Sequence, residues 1–291
     1  MTGPALRMLS LGAGVQSSTL LVLAATGAIP TFDAAVFADT GWEPAAVYRH
    51  LLRLSVIADA AGIPLVRVSN GHIRDDALDP RHRFASMPLF TLGPNGEQGM
   101  ARRQCTNEYK IKPIKREVRA RLGYPHPRRV PAGVYAQMAI GISVDEIGRA
   151  RDADVRYMRH TFPLLDLGWR RGDCVTFLAE HGLADTPRSA CVGCPFHNDV
   201  FWQRLKSGSP REWADAVAFD AAIRHGSARA NADGHPLRGR FFLHSARIPL
   251  DQVELRSDRG AGRQGCGPWT CRTDPTNPPE AAGGVGLREV A

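Results

Sequence analysis

The order of apolar segments in the first seventy residues constrains the fold most. Arg7–Leu11 is a short apolar run that leads into Gly12-Ala13-Gly14, and Gln16–Ala25 then carries a helical pattern closed by Gly27. Asp33–Ala38 is a second apolar run, Glu43–Ala61 a long amphipathic helix, and Pro64–Val68 a third strand. Pro44 sits in the first turn of that long helix, where a missing N–H is tolerated, and Gly62 closes it. Strands alternating with helices are joined by right-handed crossovers. The expected fold class is therefore α/β, with a doubly wound, mostly parallel sheet.

Further along, Thr106–Leu122 reads as a helix with a break or fresh start at Pro113. Val134–Ile142 reads as a strand, and Gly172–Glu180, Asp199–Leu205 and Arg211–His225 as helices. Residues 71–105 are rich in Pro, Gly, Asp and Arg and show no period, which predicts a structureless lid or binding loop. The chain after residue 227 reads as irregular. Two regions are expected: a nucleotide-binding α/β domain over 1–165, and a Cys-rich helical and irregular C-terminal region over 166–291 packed on it.

At 291 residues, with 43% hydrophobic and 23% charged residues, the chain can bury a core without disulfides. That composition excludes a disordered, collagen-like or coiled-coil chain. No apolar run approaches the roughly 18 residues of a membrane span, so no membrane partner is expected. The start, Met1–Arg7, lacks a basic segment followed by an apolar stretch, which points to a cytoplasmic protein. The net charge of +8 favours anionic partners such as nucleotides or nucleic acid. Only four of the 37 basic residues are lysines, and three of them, Lys110, Lys112 and Lys115, fall together. Either a compact ammonium is wanted there or they share a solvated helix face.

Two motifs stand where ligands of α/β sheets bind. In Ser10-Leu11-Gly12-Ala13-Gly14-Val15-Gln16-Ser17-Ser18-Thr19, small residues let backbone N–H groups approach a phosphate. The helix N-terminus adds a favourable partial charge, and the serine hydroxyls add donors. It is neither a Walker A loop nor a GxGxxG fingerprint, and a plain tight turn is the alternative. Ala38-Asp39-Thr40-Gly41-Trp42-Glu43 follows the second strand at its C-terminal end. Asp39 there suits a ribose or a metal ion, and equally a turn or helix cap.

Together these motifs resemble the PP-loop superfamily of adenine-nucleotide alpha hydrolases, and within it the phosphoadenosine-phosphosulfate (PAPS) reductase-like branch. The family loop runs Ser-Gly-Gly-x-Asp-Ser-Thr; this chain has Gly12 for the first Ser, Ala13 for a Gly and Gln16 for the Asp. The family's strand-end Asp-Thr-Gly matches Asp39, Thr40 and Gly41. Arg102-Arg103-Gln104-Cys105-Thr106-Asn107-Glu108-Tyr109-Lys110-Ile111-Lys112-Pro113-Ile114 is similar to its Cys-Cys-x-x-x-Lys-x-x-Pro-Leu segment, with Thr106 in place of the second Cys. Gly141-Ile142-Ser143-Val144-Asp145-Glu146-Ile147-Gly148-Arg149 resembles its Gly-x-Arg-x-x-Glu-Ser-x-x-Arg stretch. The resemblance covers residues 8–196.

The six cysteines include a CxxC, Cys191-Val192-Gly193-Cys194, a spacing that serves one metal centre or a redox pair. The resemblance implies Cys105 as a third ligand of an iron–sulfur cluster of the 4Fe-4S type, with Cys271 or Cys266 as candidates for the fourth or an open position in its place. A structural zinc site is the alternative. Gln264-Gly265-Cys266-Gly267 faintly resembles the catalytic Glu-Cys-Gly-x-His of sulfonucleotide reductases, without the Glu and the His. Cys174 reads as a buried apolar thiol, and His197 as a surface or capping residue.

The resemblance implies an ATP pyrophosphatase acting in sulfur transfer. ATP, with Mg²⁺ helped by Asp39, would lie along Ser10, Gly12, Ala13, Gly14, Gln16, Ser17, Ser18, Thr40 and Gly41. Lys110, Lys112 and Arg149 would neutralise phosphate charge, and Cys266 would hold a persulfide or ligate the cluster. A nucleic-acid acceptor, as in DNA phosphorothioation or tRNA thiolation, and a cysteine desulfurase as sulfur donor are the implied partners. Two alternatives remain: reduction of adenylyl sulfate or PAPS, with Cys266 attacking sulfur, and a zinc-stabilised, non-enzymatic nucleotide- or DNA-binding module.

Overall fold

A computed structural model describes residues 3–82, 85–226 and 239–256. In chain order the elements begin β1 (Leu6–Ser10), α1 (Val15–Ala25), β2 (Ala34–Asp39), α2 (Ala45–Ala60) and β3 (Leu65–Ser69). Next come α3 (Ile73–Leu78), β4 (Phe90–Leu92), β5 (Gln98–Met100), α4 (Lys112–Arg121), β6 (Ala136–Ala139) and β7 (Met158–Thr161). Then follow α5 (Pro163–Asp166), α6 (Arg171–Glu180), α7 (Asp199–Gly208), α8 (Pro210–Ala222) and β8 (Arg240–Phe242). Among the described residues no helix is long and apolar enough to cross a membrane.

The central sheet has the order β3-β2-β1-β6-β7, and every pair in it is parallel. Both faces are covered, so β2 is buried at every residue and reads as one unbroken apolar run. Its alternation still sorts the side chains. Ala35 and Phe37 pack with α1 and α2, against Leu20, Leu21, Val47 and Leu54. Ala34, Val36 and Ala38 pack on the opposite face with Ile114 and Val118 of α4. Beyond residue 165, α6 joins the first of these cores: Cys174 and Leu178 are buried beside α1. Enclosure pushes the Cys174 thiol up to about 11, in keeping with its reading as an apolar core residue.

Where the structure departs from the sequence reading, short elements are the cause. Residues 71–105 hold α3 and the antiparallel pair β4 and β5, which joins β8 in a second sheet of order β5-β4-β8. Strands of three residues are too short to show alternation. Around this sheet a separate core gathers Trp42, Ile73, Met87, Leu89, Trp202, Phe219, Phe241 and Leu243. Residues 239–256, read as irregular, thus contribute a strand. The break expected at Pro113 is a π-helical turn over Asn107–Ile111, where the Lys112 N–H donates to Asn107 O. A five-residue step accommodates a proline that can neither donate to the carbonyl four residues back nor pack past it.

The strand order reverses between β1 and β6, and this is where an open α/β sheet forms its ligand crevice. The loops after these strands touch. A Cβ on Gly141 would stand 2.8 Å from Ser17 N and 3.0 Å from Gln16 C. Behind the crevice, Ser18 Oγ on α1 lies 2.9 Å from His50 Nε2 on α2, both buried. Burial lowers His50 to about 4, whereas an unfolded histidine titrates near 6.5. Between those values the unfolded chain binds the extra proton, so this stability is full above pH ~6.5 and is lost as the pH falls toward 4. His160 and His197, lowered by burial as well, act in the same direction. In urea titrations from pH 7 to pH 4.5 the midpoint should drop, and His50→Gln should flatten that drop. An equal drop in wild type and variant would remove His50 as a contributor.

Candidate functional site

The glycine loop is built from its own residues. Gly12 N–H and Gly14 N–H both point at Ser17 Oγ, at 3.1 and 3.4 Å, and that hydroxyl lies 3.3 Å from Gly14 O. The two N–H groups thus converge on one point, which the Ser17 hydroxyl occupies. Ala13 takes a left-handed φ of 53° to make the turn. Ser10, at the end of β1, is buried, and its Oγ has no hydrogen-bond partner among the described residues. Ser189 covers the loop from outside: a Cβ on Gly14 would approach Ser189 Cβ to 3.0 Å.

Gln16 points across the crevice instead of into the loop. Its Nε2 donates to Glu146 Oε2 at 2.7 Å and to Ser143 Oγ at 3.3 Å, while its Oε1 accepts from Arg171 Nη1 at 3.1 Å. Arg149 pairs with Glu146.

The strand-end motif divides its labour. Asp39 is buried and accepts from Gly41 N–H at 2.8 Å, Tyr48 Oη at 2.8 Å and Arg67 Nε at 2.6 Å, with Arg67 Nη2 also on Oδ2. These bonds engage both oxygens and clamp the strand end to α2 and β3. Gly41 has φ +76°, and a Cβ there would stand 2.6 Å from the His72 ring, so no other residue fits. Thr40 faces elsewhere, toward the cysteines.

A cavity at the C-terminal edge of the central sheet gathers the thiols. Cys105, Cys191 and Cys194 line it with Thr40, Thr106, Arg103 and Lys110, and Ile73, Met87, Pro88 and Pro195 supply apolar walls. Thr40 Oγ1 is 3.2 Å from Cys191 Sγ and donates to Glu43 Oε1 at 3.1 Å. Lys110 Nζ, buried, sits 3.2 Å from the same Glu43 oxygen. Enclosure holds the Cys191 thiol well above its ordinary value, Glu43 raises it further, and Lys110 opposes both. Thr106, standing where the family has its second cysteine, is buried with an Oγ1 that has no hydrogen-bond partner among the described residues.

Among the described residues no three His, Cys, Asp or Glu side chains form a group able to hold a single metal ion. The three thiols therefore do not close on one point. A multi-iron cluster asks something different, since each thiolate meets a different iron and the surrounding shell is apolar. Cys266 and Cys271 lie outside the described residues.

The cavity is held by its CxxC. Val192 N–H donates to Trp42 O at 2.8 Å, and the Trp42 indole donates to Asp215 Oδ2 at 2.6 Å and packs on Phe219 at 4.9 Å. His197 is buried rather than on the surface: it stacks on Phe201 at 3.3 Å, and its Nε2 is 2.8 Å from Cys191 O.

The lysine cluster splits. Lys110 reaches the cavity, whereas Lys112 is half exposed on Glu108 and Lys115 pairs with Asp154. Glu43, Trp42, Ser189 and Arg171 carry no assigned role in the sequence reading. Glu43 and Trp42 stand beside the Asp-Thr-Gly motif and Ser189 two residues before the CxxC, which were the available signals; nothing in the sequence marks Arg171. No protein-family model matches the chain, and no curated protein matches it in sequence.

The packing predicts one severe substitution. A Cβ on Gly193 would stand 2.1 Å from the Trp42 ring, and that ring is fixed on its other side by Phe219 and Asp215. Gly193→Ala should cost about 1–3 kcal/mol in urea unfolding and shift the tryptophan emission. Unchanged stability would mean that Trp42 swings aside freely.

Proposed function

We propose that this chain is a PAPS reductase-like PP-loop ATP pyrophosphatase that works in sulfur transfer. It activates an acceptor by adenylation, releases pyrophosphate, and passes sulfur to the acceptor in place of the adenylated oxygen. The observation that carries this reading is the path of Ser189–Cys194. At one end Ser189 lies on the glycine loop, and at the other Cys191 and Cys194 line the thiol cavity. A phosphate site and a sulfur site joined by so short a stretch suit a reaction that uses both on one acceptor. The glycine loop at the strand-order reversal supports the PP-loop assignment on fold-level grounds.

In this reading the loop N–H groups and the first turn of α1 receive the phosphates. Ser17 keeps the loop turned, and Arg149 balances charge on the leaving pyrophosphate. An acceptor oxygen attacks the α-phosphorus, and the bond to the β,γ-pyrophosphate breaks. The terminal sulfur of a cysteine persulfide then attacks the activated centre, and AMP leaves with the oxygen. A second cysteine thiol cleaves the resulting acceptor–cysteine disulfide, releasing the thiolated acceptor and leaving a protein disulfide that an external thiol reduces. Cys105, Cys191 and Cys194 are the residues that would hold an iron–sulfur cluster, whose chemistry is to carry soft sulfur ligands and electrons. Lys110 and Arg103 line the cavity, and Glu43 holds Lys110 in place. The net charge of +8 favours a nucleic-acid acceptor, DNA or tRNA, with a cysteine desulfurase as the sulfur-supplying partner.

The test is an anaerobic assay of the full chain with ATP, single-stranded oligonucleotides, a cysteine desulfurase with cysteine as sulfur donor, and a thiol reductant. Pyrophosphate and AMP should appear in equal amounts and fall about 100-fold in Ser17→Ala, which lets the loop relax. Iron and acid-labile sulfide should copurify and be lost in Cys191→Ser. Sulfite from adenylyl sulfate or PAPS, without pyrophosphate from ATP, would replace this reading with reduction. Stoichiometric zinc and no turnover would replace it with a binding module.

A further inference from the structure

Positive charge is concentrated in one part of the chain. Residues 100–171 hold 16 Lys and Arg against 7 Asp and Glu, so a quarter of the sequence accounts for the whole net charge of +8. Residues 118–144 hold four arginines and no acidic residue. The fold gathers Arg119, Arg128 and Arg129 of that stretch with Arg156 and Arg159 at the N-terminal ends of β6 and β7. This is the sheet edge opposite the glycine loop and the thiol cavity.

Arg119, near the end of α4, is the joint. Its guanidinium donates to Tyr124 O at 3.2 Å and to Arg128 O, and lies over the Tyr157 ring at 5.8 Å. Tyr157 O accepts from Ala136 N–H at 3.0 Å, and the ring of Tyr135, next in sequence to Ala136, carries the Arg159 guanidinium at 3.8 Å. A guanidinium laid on a ring is held flat but keeps its N–H edges, the fork that fits a phosphate. Arg128, Arg129, Arg156 and Arg159 are exposed. None of these five arginines is ion-paired among the described residues, and the neighbouring Asp154 is held by Lys115 at 2.6 Å.

This surface has no apolar centre. Among the described residues, none of the large exposed apolar side chains stands in 118–136 or 156–161. A lipid surface or a protein partner would call for one, whereas a phosphodiester backbone calls for spaced positive charge. We propose that the arginines at the N-terminal ends of β6 and β7 bind the backbone of a nucleic-acid strand, away from the reacting end of the sheet. The inference needs neither ATP nor the thiols, and it stands if the sulfur-transfer reading falls.

The test is fluorescence anisotropy of labelled single-stranded DNA and RNA of one sequence, about 24 nucleotides long, titrated with the full chain without ATP at about 50–200 mM salt. Binding should weaken as salt rises, and the tighter of the two identifies the source of the strand. The triple variant Arg128→Gln, Arg129→Gln, Arg156→Gln should lose about tenfold in affinity at ~100 mM salt. It should also lose about two from the slope of log affinity against log salt, at roughly 0.7 per phosphate contact. A second triple variant, Arg204→Gln, Lys206→Gln, Arg211→Gln, removes the same charge from exposed positions of α7 and α8 and should stay within about twofold of wild type. Equal losses in the two triples would mean attraction by overall charge alone and would overturn the proposal. So would a wild type that binds neither oligonucleotide, or that prefers phosphatidylglycerol vesicles to both. Pyrophosphate release from ATP is read separately, so either reading can fall without the other.

Discussion

The structure depends on the seat of Gly193 on the ring of Trp42. That contact leaves no room for a Cβ, and the Val192 N–H to Trp42 O bond beside it fixes the direction in which the CxxC runs. Trp42 is itself immobile, because Asp215 holds its indole nitrogen, Phe219 packs on its face, and Glu212 accepts the Ala45 N–H that begins α2. The helical layer α7–α8 thus reaches back to the end of β2 and pins the thiols to the central sheet. The stretch fixed by this seat runs from Ser189 on the glycine loop to Cys191 and Cys194 in the thiol cavity.

A second consequence concerns charge. Glu43 and Lys110 form a pair that is almost wholly removed from water. Such a pair contributes little net stability, because desolvation offsets its attraction, but removing one partner leaves a buried charge at a cost of about 3–5 kcal/mol. Its presence is better explained by what it faces. Cys191 lies against Glu43 Oε1 at 3.7 Å, and the lysine opposes the effect of burial and of the carboxylate on that thiol. The π-helical turn is the local means. It sets Lys110 facing Glu43 while Lys112, two residues on, points to solvent.

Much of the fold was legible because long, periodic segments carry their own evidence. The β-α-β-α-β start, the helix over α6 and the parallel sheet follow from patterns of ten residues or more. The strand β7, Met158–Thr161, was not legible. It is an edge strand of four residues, with Arg159 exposed beside buried His160. The second sheet was missed because each of its strands has three residues and β8 pairs with a β4 that lies far earlier in the chain. In the site, the cysteines and the glycine loop announced themselves by spacing. The residue that joins them did not, since Ser189 acts by position alone.

Asp39 shows why residue type is a weaker guide than surroundings. A carboxylate at the end of a central strand is where a metal or ribose ligand is expected, and its sequence neighbours do nothing to contradict that. What its surroundings add comes from β3. Register sets Ser69 opposite Asp39 and Arg67 opposite Phe37, so the guanidinium lies diagonally beside the carboxylate and binds it. Tyr48, one turn into α2, closes the other oxygen, and burial together with that carboxylate raises its phenol further. The clamp frees the next residue. With Asp39 fixed and Gly41 turned against His72, Thr40 has one direction left, and its hydroxyl meets both Cys191 and Glu43. In this structure the motif is a hinge that brings a strand end to the thiols.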